Sequence, residues 1–107
     1  MGVSDPLIQT SLLGEAIEHA PVVVLVADEQ GDLVAVNQSA CALLGYERGE
    51  LLTLRVGHVA HDAAPVPDRT GIRRTTLTRK DGTNVEFTYE TRETTVAGMP
   101  VFVYVGR

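Results

Sequence analysis

The stretch VVVLVADEQGDLVAVNQSACALLGY, Val22 to Tyr46, changes periodicity once, at Asn37, and that change decides the fold. VVVLVADE is a continuous run rich in β-branched residues, the pattern of a strand covered on both faces. EQGD supplies a turn and LVAVN a second strand, so Val22–Asn37 reads as a β-hairpin. Beyond Asn37 the spacing of Ala40, Leu43 and Leu44 is helical. An Asn at this switch can cap the first free amides of the helix that follows. Gly45 offers a positive-φ exit, and Tyr46 can fold back against the sheet as an amphipathic wedge.

Upstream, Ser4-Asp5-Pro6 reads as a helix start, with a capping side chain ahead of proline. Leu7, Ile8, Leu12, Leu13, Ala16 and Ile17 then recur at helical spacing. Gly14 weakens the middle and is expected to divide the segment into two short helices, and His19-Ala20-Pro21 ends it. So short an apolar helix is not stable alone and must pack on its own sheet, on a partner, or on both.

Downstream, ERGELL and LRVGHVAH read as two further short helices or turns, and DAAPVPDRTG, Asp62 to Gly71, as a proline-punctuated loop. From Ile72 the pattern is that of strands. IRRTTLTR is threonine-rich, and KDGT centres on the strong hairpin signal Asp81-Gly82. NVEFTYETRETTV sets Val85, Phe87 and Tyr89 on one face against Glu86, Thr88 and Glu90 on the other. VFVYVG, apolar on both sides, should be a central strand. The order predicts an α+β domain with one five-stranded antiparallel sheet, short helices on one face and a flanking N-terminal helix.

A length of 107 residues allows one domain with a real core. With 44% hydrophobic and 21% charged residues, neither a disordered nor a fibrous class fits. The net charge is -5, and nine scattered basic residues do not make the concentrated positive field that nucleic acid requires. No window holds the roughly 18 consecutive apolar residues of a membrane span. MGVSDP matches neither a signal peptide nor a myristoylation site, and the single cysteine cannot form an intrachain disulfide. A cytoplasmic protein with no membrane contact is the expectation.

Taken in sequence, EAIEHAPVVVLVAD leading into the first strand, GDLVAVN with Asn37 closing the second, ALLGY followed by ERGELL, and TRKDGT with VEF at the later hairpin together resemble a PAS domain. The resemblance runs from about Glu15 to Val105. A KDG turn or an LLGY helix end recurs by chance; their order and distances carry the likeness. It implies a flanking helix over residues 1–14 and a PAS domain over 15–107. It also implies a longer helix after the short central ones, where this chain has only the loop Asp62–Gly71, so one wall of the ligand cavity is expected to be shortened or missing. A PAS domain commonly continues into an output linker where this chain stops at VYVGR, which points to a fragment of a longer protein.

Cys41 lies among Ala40, Ala42 and Leu43 and reads as a small buried thiol. The light-sensing LOV type of PAS domain carries its cysteine on a later helix, where RVGHVAH has none. His58 and His61 are spaced to share a helical face; two such residues make a poor structural zinc site, and they read as solvent-facing. By resemblance to haem-binding PAS domains, His61 is the weak candidate for an axial ligand. Asp28, Glu29 and Asp32 suit a solvated hairpin tip better than a metal site, and no catalytic grouping has recognisable spacing.

The resemblance therefore implies a non-enzymatic sensory or regulatory module of a bacterial signalling or transcription-regulatory protein, acting through dimerisation, a small ligand, or both on an effector domain in the full-length protein. Its candidate ligand-pocket residues are Leu25, Val36, Leu44, Phe87 and Tyr104. Its candidate homodimer interface is Leu7, Ile8, Leu12 and Leu13. No cofactor is expected. The alternatives are a haem- or flavin-bearing sensor and an interaction domain without a ligand.

Overall fold

The computed structural model describes residues 6–60 and 71–107. Helix α1 (Pro6–Glu18) leads into strands β1 (Val23–Ala27) and β2 (Leu33–Val36). The short helices α2 (Gln38–Leu44), α3 (Arg48–Leu51) and α4 (Val56–Val59) follow, then β3 (Gly71–Thr78), β4 (Asn84–Val96) and β5 (Met99–Gly106). All adjacent pairs are antiparallel, in the order β2-β1-β5-β4-β3. The last strand is central, as its two apolar faces require.

Alternation along the strands explains the two faces of the sheet. Val23, Leu25 and Ala27 of β1 are buried, as are Leu77 of β3, Phe87 and Tyr89 of β4, and Phe102 and Tyr104 of β5. The helical layer covers this side with Ala40 and Leu44 of α2, Leu51 of α3, and Val56 and Val59 of α4. On the opposite side, Val24 faces Val105 and Val26 faces Val103 across the β1–β5 pair. These valines are half-buried or exposed.

Gly14 does not divide the first helix. α1 is continuous from Pro6 to Glu18 and crosses the expected boundary at residue 14. One interior glycine lowers helix propensity by about 1 kcal/mol, too little to stop a run whose other residues favour the helix. The proposed cap residues Ser4 and Asp5, and the loop of residues 61–70, lie outside the described residues. Cys41 is half-buried rather than buried. It sits on the rim of α2, one position beyond the inward-facing Ala40, and packs against the edge of the core.

The helices are fastened to the sheet at defined points. Gly45 leaves α2 at φ 78°, with its amide bonded to Cys41 O. The β3–β4 hairpin binds the end of α2, as Lys80 N donates to Leu44 O at 2.8 Å and Arg79 Nε to Leu43 O at 3.0 Å. Tyr46 packs against the core, with Lys80 Nζ 5.9 Å from its ring centre. Leu33 N donates to Leu54 O and Val56 N to Gly31 O, holding the α3–α4 connection along β2. A bridge between Ala60 and Leu77 joins the end of α4 to β3.

Gly106 marks a close approach in the centre of the sheet. It pairs with Val23 on one side and Tyr89 on the other, and an added Cβ would stand 2.1 Å from Thr88 O. Gly106→Ala is expected to reduce unfolding free energy by about 1–3 kcal/mol in a urea titration, because β4 and β5 must separate locally. A change within about 0.5 kcal/mol would show that the strands do not need that proximity.

Candidate functional site

Between α4 and the sheet lies a small chamber with a volume of about 10 Å³ for the centre of a water molecule, enough for about one water. Val56, Val59 and Ala60 form its helical side. Leu25, Thr75, Leu77, Phe87, Tyr89 and Tyr104 form its sheet side, drawn from β1, β3, β4 and β5. Pairing in register brings these distant residues together, with Thr75 opposite Phe87 and Leu25 opposite Tyr104.

Three aromatic rings run across the sheet side. Phe87 and Tyr89 stack with centroids 5.6 Å apart, and Tyr89 meets Tyr104 at 5.8 Å with a 54° tilt. Burial, with a smaller contribution from Tyr89, pushes the Tyr104 phenol up to about 12. Burial also raises the Tyr89 phenol. Both stay protonated and neutral near pH 7. Among the described residues, the lining contains no carboxylate, amine, imidazole or thiol.

Of the five pocket residues expected from sequence, Leu25, Phe87 and Tyr104 line the chamber. Leu44 is fully buried in the core but lies outside the lining, and Val36, the cross-strand partner of Leu25, is half-buried against the core and borders a separate groove. Thr75 was hidden in the threonine-rich run. Counting back from the Asp81-Gly82 turn would have placed it opposite Phe87, on the inner face with Leu77.

His58 is exposed, and its Nδ1 accepts a hydrogen bond from Arg55 N at 3.0 Å, which uses the ring to hold the start of α4. His61 lies outside the described residues. His19 Nδ1 is 2.8 Å from Gln38 Oε1 at the junction of α1 and α2. Asp28 Oδ1 accepts from Gln30 N and Asp32 N, so the acidic group at the first hairpin organises its own turn. Among the described residues no three His, Cys, Asp or Glu side chains are placed to share a metal ion. Burial raises the Cys41 thiol, opposite to what a reactive thiolate needs.

The α1–α2 junction is the second distinctive region. Asn37 is 3% exposed, and its Nδ2 donates to Ile17 O at 2.9 Å and Val22 O at 2.8 Å. Its Oδ1 accepts from Val24 N at 3.0 Å and Ala40 N at 3.1 Å. Ser39 Oγ donates to Ala20 O, and Arg48 pairs with Glu18 at 2.5 Å. That guanidinium holds the Glu18 carboxyl below the usual range. Of the expected interface residues, Leu7, Leu12 and Leu13 are exposed and Ile8 is half-buried, all on a helix with no buried residue.

A family model described as the PAS fold matches residues 12–105. No curated protein matches the chain. Among solved structures, the PAS domain of an HTR-like protein from Haloarcula marismortui is 22% identical, with a TM-score of 0.81 over 92% of this chain and 96% of that one. A PAS domain from a two-component sensor histidine kinase is 13% identical, with a TM-score of 0.85 over 96% and 98%. An RNA-binding light-oxygen-voltage receptor is 16% identical, with a TM-score of 0.80 over 100% of this chain and 35% of the receptor. At these identities the structural likeness is one of fold.

The Tyr104 environment has a consequence at high pH. The folded state keeps the phenolic proton to about 12, against 10.0 for an ordinary tyrosine, so the unfolded chain binds fewer protons between those values. The stabilisation is complete below pH 10 and is lost as pH rises towards 12, by about 2–3 kcal/mol. Denaturant titrations across pH 9–12 should show this fall, and Tyr104→Phe should flatten it. An equal fall in the variant would assign it to other groups.

Proposed function

Since the chain belongs to the PAS family of sensory signalling modules, we propose that it is the regulatory part of a cytoplasmic signalling or transcription-regulatory protein, pairing with a second copy through α1. The observation that carries this reading is the apolar stripe of α1. Among the described residues, Leu7 is 81%, Leu12 52% and Leu13 62% exposed on a helix of 13 residues, none of which is fully buried. An isolated helix of that length is marginal in water, and a second copy would supply a covering surface for the exposed stripe. The stripe continues at Ile17 into a groove lined by Val24, Val26, Val34 and Leu52. The corresponding helix and groove of a second copy would extend the same apolar surface symmetrically.

In this reading a small ligand in the chamber favours one packing of the helical layer on the sheet, and the difference in affinity between packings is the signal. Leu25 of the chamber is adjacent to Val24, whose amide is held by Asn37, and Asn37 holds the end of α1. Occupancy thus has a short covalent and hydrogen-bonded route to the pairing helix. An effector domain elsewhere in the full-length protein would read the change. We propose sensing without a resident haem or flavin: the chamber admits about one water, and His58 is exposed and engaged at Nδ1.

Sedimentation over micromolar to hundred-micromolar concentrations is expected to show a dimer that Leu12→Glu with Leu13→Glu converts to a monomer. Because both side chains are exposed in the single chain, thermal stability of the monomeric unit should change by no more than about 0.5 kcal/mol per site. A wild-type protein that stays monomeric throughout, or a variant that still dimerises, would contradict the reading.

A further inference from the structure

Helix α1 is tied to the domain at its C-terminal end, and the ties fall into two groups. Asn37 Nδ2 donates to Ile17 O at 2.9 Å, Ser39 Oγ donates to Ala20 O, and His19 Nδ1 lies 2.8 Å from Gln38 Oε1. Their partners are consecutive residues at the start of α2, so together they make a single pivot. The remaining tie reaches a different element. Glu18 Oε1 accepts from Arg48 Nη2 at 2.5 Å, joining the last residue of α1 to the first of α3, 30 positions further along the chain. A pivot fixes where a rod ends; a second point away from the pivot is needed to fix its direction. Since no α1 residue is fully buried, core packing contributes little to that direction.

The ion pair also spans the groove assigned above to pairing, with Ile17 and Glu18 on its α1 side and Arg48 and Leu52 on its α3 side. The other carboxylate of α3, Glu50, is already engaged by Lys80 Nζ at 2.6 Å and by the Glu47 amide at 2.9 Å. We propose that Glu18 and Arg48 form a latch that sets the direction of α1 and the width of this groove, and that two copies pair more tightly while it is closed. The proposal rests on the reading that α1 pairs with a second copy. An open latch leaves α1 on its pivot, and the stripe of Leu12 and Leu13 then meets its partner in many orientations instead of one. Ordering the helix again takes up part of the pairing free energy. The two side chains are 45% and 30% exposed, so the pair contributes little to folding itself. Its effect lies in direction.

Sedimentation of the full chain and residual dipolar couplings of its amides test the latch. Arg48→Gln and Glu18→Gln are each expected to weaken pairing about fivefold, the size of an exposed ion pair. Glu18→Arg combined with Arg48→Glu re-forms the pair with its charges exchanged, and should return the affinity to within about twofold of wild type. Direction is read in the single chain. With Leu12→Glu and Leu13→Glu present, couplings of the amides of residues 11–18 should fit the same alignment as those of β1 and β5, and adding Arg48→Gln should scale them towards zero while the strand couplings stay. Helix couplings that keep the common alignment after Arg48→Gln, or that are already averaged with Arg48 in place, overturn the latch whatever sedimentation shows. Unchanged pairing in both neutral variants, or a loss that the exchanged pair does not restore, overturns its role in pairing. A wild-type chain that stays monomeric throughout ends the pairing reading and the statement on affinity with it, while the couplings still decide whether the latch directs α1.

Discussion

The side chain of Asn37 uses its full hydrogen-bonding capacity, two donors and two acceptors, on four backbone groups that no regular ladder would bring together. One carboxamide ends α1 at Ile17, fixes the chain at Val22, joins β1 at Val24 and caps α2 at Ala40. The Asn37 backbone adds a bond from its own amide to Val24 O, and its carbonyl accepts from Cys41 N. The orientation of α1, the start of the sheet and the start of the helical layer thus depend on one nearly fully buried residue. Aspartate has almost the same shape but lacks the two donors, and would turn a carboxylate towards the carbonyls of Ile17 and Val22.

From this node the structure extends in two directions. Along β1 the chain passes from Val24 to Leu25 and the chamber, where α4 is held by the Val56 N to Gly31 O bond, the Asp32–Arg55 and Ala60–Leu77 bridges and its buried valines. Along α1 it leads to an apolar stripe on which Leu12, Leu13 and Ile17 are exposed. The node separates a tightly fastened α2 from a single-turn α4 above the chamber. In the proposed mechanism, a change in α4 packing occurs while α2 and the sheet remain in place. That division suits a module in which small internal differences are read at a helix outside the core.

Much of this architecture was legible because local and global signals agree. The hairpin, the Asn37 cap, the Gly45 exit and the inward face of β4 follow from period and turn chemistry alone. The central place of β5 followed from its two apolar faces. What could not be read locally was sidedness and long-range pairing. Leu44 and Val36 have the right character for a pocket, but Leu44 is in the core and Val36 packs against it, both outside the chamber lining. Thr75 joins the chamber only through its register with Phe87. The two Asn37 donor bonds reach back 15 and 20 residues, beyond what a capping motif can express. Gly14 misled because a glycine is a weak interruption when the surrounding helix continues on both sides.

The most direct test of the central role of Asn37 is hydrogen exchange of its side-chain amide, followed by NMR at several denaturant concentrations. If Nδ2 is bound to Ile17 O and Val22 O as described, its protons exchange only through global opening, with the same denaturant dependence as the amides of Val24 and Ala40. Exchange as fast as that of the exposed Asn84 side chain would contradict the account, because the junction would then open without the domain unfolding.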